Sequence, residues 1–152
     1  MESIDHPGRA RRALLGLGCG LALFFLLQGC SRDNPEAALR ARIAALADSI
    51  EREPAALQQY LAEDFIGNGG LDRSGARAMA LAYRLRYRDT GVVIGPLALQ
   101  MGPGHATARS TVVLRGGSGL LPEGAGAYEV ESGWRLEGGE WVLASLRWQR
   151  AL

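Results

Sequence analysis

The stretch from Ala127 to Arg150 limits the possible folds more than any other part of this 152-residue chain. Tyr128, Val130, Ser132, Trp134 and Leu136 alternate with Glu129, Glu131, Gly133, Arg135 and Glu137. A period of two that separates apolar from charged positions describes a strand with one buried face. Glu137-Gly138-Gly139-Glu140 follows, and a Gly-Gly pair supplies the positive φ angles of a two-residue hairpin turn. The return strand runs from Trp141 to Arg150. A regular hairpin register sets Leu136 against Trp141, Trp134 against Leu143 and Ser132 against Ser145, which gathers two indoles and two leucines on one face. The other face then carries Arg135 opposite Val142 and Glu131 opposite Leu146.

The N-terminus belongs to a different process. Arg9, Arg11 and Arg12 precede an apolar run from Ala13 to Leu27. At about 15 residues this run is short for a bilayer core and fits the h-region of a signal peptide. It ends in Leu27-Gln28-Gly29-Cys30, which resembles the bacterial lipobox. That resemblance implies cleavage before Cys30 and acylation of the new N-terminal cysteine, including a palmitate. Several acyl chains anchor a protein far more firmly than one. Ser31 stands where lipoproteins kept in the inner membrane usually carry Asp, so the analogy places the protein at the outer membrane, facing the periplasm. The expected parts are therefore a signal peptide over 1–29, the lipidated Cys30 with a tether to residue 33, and a domain over 34–152. With Cys19 removed and Cys30 acylated, that domain has neither thiol nor disulfide, and packing alone must hold it together.

Charge excludes one class of partner. The signal removes three Arg and two acids from totals of 17 basic and 16 acidic residues. The remaining domain is balanced, which gives no support to nucleic-acid binding.

Asn34-Pro35-Glu36 opens a helix with a capping residue, a first-turn proline and an acid near the positive end. Leu39, Ile43, Leu46 and Ile50 form its apolar stripe. Glu53-Pro54 ends it and starts a second helix, whose inner side is marked by Leu57, Leu61 and Phe65. Asp64 to Gly70 is rich in breakers and has room for a very short strand. Asp72 or Ser74 caps a third helix that runs to about Asp89. Strand signals follow: Val92 to Met101, interrupted at Gly95-Pro96, and His105 to Arg115. A Gly-rich loop from Gly116 to Gly126 then leads into the hairpin.

Three helices followed by four long strands make an α+β domain with the helices on one sheet face. This order resembles the nuclear transport factor 2-like (SnoaL-like) superfamily over Asn34 to Leu152. The resemblance is carried by Leu61-Ala62-Glu63-Asp64-Phe65, Gly133-Trp134-Arg135 and Gly139-Glu140-Trp141. It implies a cone-shaped, curved antiparallel sheet packed on three N-terminal helices and enclosing a pocket. The sequence departs from that pattern in nearly lacking the usual early strand pair, which opens one sheet edge.

Candidate chemistry is sparse. His105 is the sole histidine after processing and sits beside a Gly-Pro-Gly turn, so neither a transition-metal site nor a Ser/His/Asp triad is expected. No cofactor motif is present, since Gly116-Gly117-Ser118-Gly119 lacks the lysine and helix of a phosphate cradle. By analogy with related enzymes, Asp64 is a candidate general base near the cone floor, with Tyr60, Tyr83, Tyr87 or Tyr128 as donor to an oxyanion. The plainer role for Asp64 is capping amides of the Gly67–Gly70 turn. A helical wheel puts Arg73, Arg77, Arg84 and Arg88 on a solvated face and Arg86 among Met79, Ala82 and Tyr83. Arg86 then either pairs with an anion such as Asp64 or reaches water along its stem. Phe65, Met79, Tyr128, Trp134 and Trp141 either line an apolar pocket or fill the core. Leu120-Leu121-Pro122 either touches lipid or a partner, or folds back onto the sheet.

The expectation is a non-catalytic envelope lipoprotein that binds an apolar ligand or a protein partner. The alternatives are an isomerase or dehydratase using Asp64, and an inhibitor or immunity-type partner of an envelope enzyme. A homodimer through an outer sheet face bearing Val142, Ala144, Leu146 and Trp148 beside Glu129 and Arg135 is also expected.

Overall fold

The computed structural model describes residues 34–87, 89–117 and 126–151. The expected signal segment, Cys30 with its expected tether, and Leu120-Leu121-Pro122 lie outside the described residues.

Helix α1 (Pro35–Arg52) starts on the proline, with Glu36 in its first turn and bonded to Arg40 at 2.8 Å. Leu39 and Ile43 are buried, and Leu46 and Ile50 pack against the core, as the stripe requires. The next segment is a 3-10 helix (Pro54–Tyr60) rather than a second α-helix. Leu61 and Phe65 instead belong to strand β1 (Leu61–Gly67). Their fourfold spacing suits a helix, but this segment pairs in parallel with the last strand, and tertiary hydrogen bonding overrides the local pattern. An irregularity between Leu61 and Ile66 lets Leu61, Ala62 and Phe65 all be buried on one short strand.

After a 3-10 turn (Asn68–Gly70), helix α2 (Arg73–Arg86) is capped by Asp72, which accepts the Gly75 N–H at 2.7 Å. It ends three residues before the expected Asp89. Arg73 donates to the Gln58 carbonyl at 2.7 Å and Arg77 to that of Ala55 at 3.3 Å. Both therefore bind α2 to the 3-10 segment instead of forming part of a solvated face.

Strands β2 (Asp89–Ile94) and β3 (Ala98–Gly102) are separated at Gly95-Pro96, and both pair antiparallel with β4 (His105–Gly117). Strands β5 (Gly126–Glu137) and β6 (Glu140–Arg150) complete a curved sheet of order β1-β6-β5-β4-β2, with β3 also beside β4. The sheet is mixed because β1 runs parallel to β6. That single strand occupies the edge that the missing early pair was expected to leave open.

The hairpin turns on Gly138 and Gly139, with φ of 58° and 87°. Leu136 faces Trp141, Trp134 faces Leu143 and Arg135 faces Val142, as expected. The register then shifts. Gly133 faces Ser145, Ser132 faces Leu146 and Glu131 faces Arg147, so Ala144 is an extra residue on β6. The bulge resets the alternation and carries Leu146 and Trp148 to the inner face. The outer face holds charged and polar pairs instead: Arg109 with Glu131 at 2.6 Å and Gln149 with Glu129 at 2.7 Å. The expected apolar outer surface thus loses Leu146 and Trp148.

The core joins Leu39 and Ile43 of α1 to Leu57, Phe65, Trp134, Trp141 and Leu143. Residues 36–152 form a compact unit containing this whole core, which is the criterion for a segment able to fold alone.

Candidate functional site

The core is not filled to the end. Between the helices and the inner sheet face lies a cavity of about 400 Å³. Its position follows from periodicity. Tyr128, Val130, Ser132 and Trp134 of β5 project inward at alternate positions, as do Ala108, Ser110, Val112 and Leu114 of β4. Leu143, Leu146 and Trp148 continue the wall on β6, with the bulge between the first and second of them. Ile43, Leu46 and Ile50 of α1 and Ala76, Met79, Ala80 and Tyr83 of α2 close the opposite side.

The lining is apolar. Among the described residues it contains no carboxylate, guanidinium, imidazole or thiol, and its polar side chains are two serines, two tyrosines and two indoles. The serines are turned into the sheet. Ser132 Oγ accepts the Trp134 Nε1–H at 2.9 Å and donates to the Ala108 carbonyl at 3.2 Å. Ser110 donates to the Gly95 carbonyl at 3.1 Å. The floor is closed by Leu57, Leu61, Phe65, Ala108 and Leu143, all buried, whereas Tyr83, Tyr128 and Trp148 are half-buried and Met79 is 51% exposed. The gradient places the mouth towards the C-terminal end of α2 and the outer ends of β4 to β6.

Tyr83 packs on Tyr87 at 4.7 Å between ring centroids. A Cβ on Gly116 would come within 2.6 Å of the Tyr87 ring and 2.7 Å of the Tyr83 hydroxyl, so glycine is what leaves room for both rings beside β4. Burial, reinforced by Tyr87 and Tyr128, raises the Tyr83 phenol above its ordinary pKa. It stays protonated and able to donate at neutral pH.

Five of the expected residues line this cavity: Phe65, Met79, Tyr83, Tyr128 and Trp134. Four do not. Trp141 is buried in the core beyond the floor. Tyr60 lies under the Arg42 guanidinium at 4.5 Å, while that guanidinium donates to the Trp141 and Gln59 carbonyls. Arg86 ends α2 exposed, 5.6 Å from the Tyr87 ring, and so follows the water-reaching alternative.

Asp64 corrects both of its expected roles. Because neighbouring Phe65 points inward, Asp64 points outward, where it accepts 2.7 and 3.2 Å bonds from Arg135. Its side chain is 68% exposed. Arg135 stabilises the carboxylate and holds its pKa below the usual value, which is unsuitable for a base working at neutral pH. Nor does it cap the Gly67–Gly70 turn, whose first N–H, on Gly67, bonds to the Leu71 carbonyl while the carboxylate accepts from Arg135. His105 is exposed beside its turn, with Nδ1 3.0 Å from the Pro103 carbonyl. Among the described residues no three His, Cys, Asp or Glu side chains converge to hold a metal.

The geometry can be set beside known proteins. No family model matches this sequence, and no curated protein sequence does. Solved structures match closely in shape. An NTF2-like protein of unknown function from Pseudomonas putida superposes with a TM-score of 0.61 at 17% identity, covering 75% of this chain and 84% of its own. The fold is NTF2-like. A protein of unknown function with a cystatin-like fold from Nostoc punctiforme gives a TM-score of 0.63 at 16% identity, covering 76% and 90%. A proposed scytalone dehydratase from Novosphingobium aromaticivorans gives 0.66 at 13%, covering 77% and 84%. At these identities the likeness extends to the fold and not to activity. The NTF2-like cone accounts for the enclosed volume, and this chain's own side chains make it apolar.

Proposed function

We propose that this protein is an outer-membrane lipoprotein, anchored through acylated Cys30, whose NTF2-like domain binds a small apolar molecule without transforming it. The observation that carries the reading is a cavity of about 400 Å³ whose described lining residues include no charged side chain. A volume of this order suits a small ligand, and an apolar wall with few polar groups is the usual composition of such sites. Burying a ten-carbon chain at ~0.8 kcal/mol per methylene supplies ~7 kcal/mol gross. Association costs reduce that figure, so affinities between roughly micromolar and millimolar are expected. Catalysis through Asp64 is not part of the reading, because that carboxylate faces away from the cavity.

The test uses N-phenyl-1-naphthylamine, a neutral fluorophore that brightens in apolar surroundings. Added to residues 34–152, it should bind saturably at one site and be displaced by decanol. Absence of saturable binding would refute the ligand reading. In cells, labelled palmitate should enter the full-length chain, be lost in Cys30→Ala, and follow the outer-membrane fraction.

A further inference from the structure

Resting on that reading, we infer that the natural occupant is amphipathic: an apolar body ending in an anionic head, with the head held at the mouth beside Tyr128 and Arg150. The cavity distinguishes its two ends. At the floor every wall is hydrocarbon or indole, and the serine hydroxyls are committed to carbonyls of the sheet. At the mouth the polar groups collect. Tyr128 lines the cavity there, and the hairpin ladder pairs it with Arg150 as its last step.

Residues opposite each other in an antiparallel ladder share a face. Arg150 therefore follows Leu146 and Trp148 along the inner side of β6, exposed and just outside the cavity lining, two positions beyond the last indole of the wall. It forms no ion pair or hydrogen bond among the described residues. Among the described residues, the acids near this end are engaged or turned away. Glu51 on α1 accepts the Val92 N–H at 2.6 Å, and Glu129, on the outer face, accepts from Gln149 at 2.7 Å. A guanidinium and a phenol at the rim of an otherwise uncharged cavity favour a carboxylate or similar anion over a neutral head. They offer nothing to a cation. A molecule lacking a polar end would leave these groups to water, and one with two polar ends would bury one of them unpaired at the floor.

The experiment compares two ligands that differ only in the head group. Decanoate and decanol are each titrated as competitors of N-phenyl-1-naphthylamine on residues 34–152 at pH 7.5, with wild type and Arg150→Gln. Wild type should bind decanoate several-fold more tightly than decanol, a margin in keeping with an exposed charged pair. The variant should lose that preference while binding decanol unchanged, which also shows that its cavity is intact. Equal affinity for the two heads in wild type would overturn the amphipathic assignment and leave the apolar-ligand reading standing. A preference that persists in Arg150→Gln would remove Arg150 as the head-group residue. Failure of the fluorophore itself to bind would refute both.

Discussion

Asp64 and Arg135 meet across a strand that belongs to neither. The carboxylate on β1 takes both bonds from the guanidinium on β5, and β6 runs between those two strands. The pair spans the outer face over Val142, the residue that faces Arg135 in the ladder. Arg135 also donates to Glu137 at 2.7 Å, so one guanidinium joins the parallel edge strand to the hairpin. A residue that the sequence offered as a base is instead part of how the sheet's edge is held.

The pair gives stability a definite pH dependence. Arg135 lowers the Asp64 pKa from 3.8 in the folded chain. As pH falls, the unfolded chain takes up this proton first, so the stabilisation is complete above the unfolded value and is lost as pH drops through the folded one. Asp64→Asn should therefore be less stable than wild type at pH 7, with the gap closing below about pH 3.8. Urea unfolding at pH 7, 4 and 3 measures it. A gap that stays constant with pH would exclude the ion pair as its source.

Ser132 connects the indole of Trp134 to the sheet. Replacing it with alanine leaves a buried N–H without its acceptor, at a cost of about 1–3 kcal/mol. The expected result is a lower urea midpoint with an unchanged slope. Ser132→Thr, which keeps the hydroxyl, should lose less.

Glu51 acts at the other edge. Its carboxylate covers the Val92 N–H on β2, the last strand of the sheet. Glu51→Ala should cost about 1–2 kcal/mol and raise hydrogen exchange at Val92 before it does so elsewhere. Uniform acceleration across the sheet would point to global destabilisation instead.

Ala108 lies on the cavity floor and is 2% exposed. Ala108→Leu adds three carbons to that space. We expect weaker binding of N-phenyl-1-naphthylamine by tenfold or more, a size typical of a methylene-scale mismatch of about 1–3 kcal/mol. Stability should change less than for the same substitution in a filled core, because the added atoms enter open volume. Unchanged affinity in Ala108→Leu would place the fluorophore outside the cavity.

How much of this was legible can be read residue by residue. The hairpin turn and its first three cross-strand pairs were visible because Gly-Gly and strict alternation encode them locally. The α1 stripe was visible for the same reason. Strand β1 was legible only in its second half, as the short strand for which Asp64 to Gly70 has room; Leu57, Leu61 and Phe65 satisfy a helical period, and the partner that makes a strand of the last two lies some eighty residues away. The cavity wall was half legible. Apolar character marks Phe65, Met79, Tyr128 and Trp134, and its phenol marks Tyr83, but unbroken alternation puts Leu146 and Trp148 on the outer face. A signal for them did exist. Trp141 and Leu143 occupy odd positions, whereas Leu146 and Trp148 alternate with Arg147 and Gln149 at even ones. That change of phase marks the bulge. Asp64 was misjudged because a single carboxylate beside an aromatic residue carries no information about which way either side chain points.

The unpaired Ala144 also limits how this strand can vary in length. Residues on either side of it owe their opposite parity to that one extra position, so a single insertion or loss between Leu146 and Arg150 would exchange cavity-facing side chains for solvent-facing ones. Natural variants should tolerate two-residue changes there, or one-residue changes placed at a second bulge.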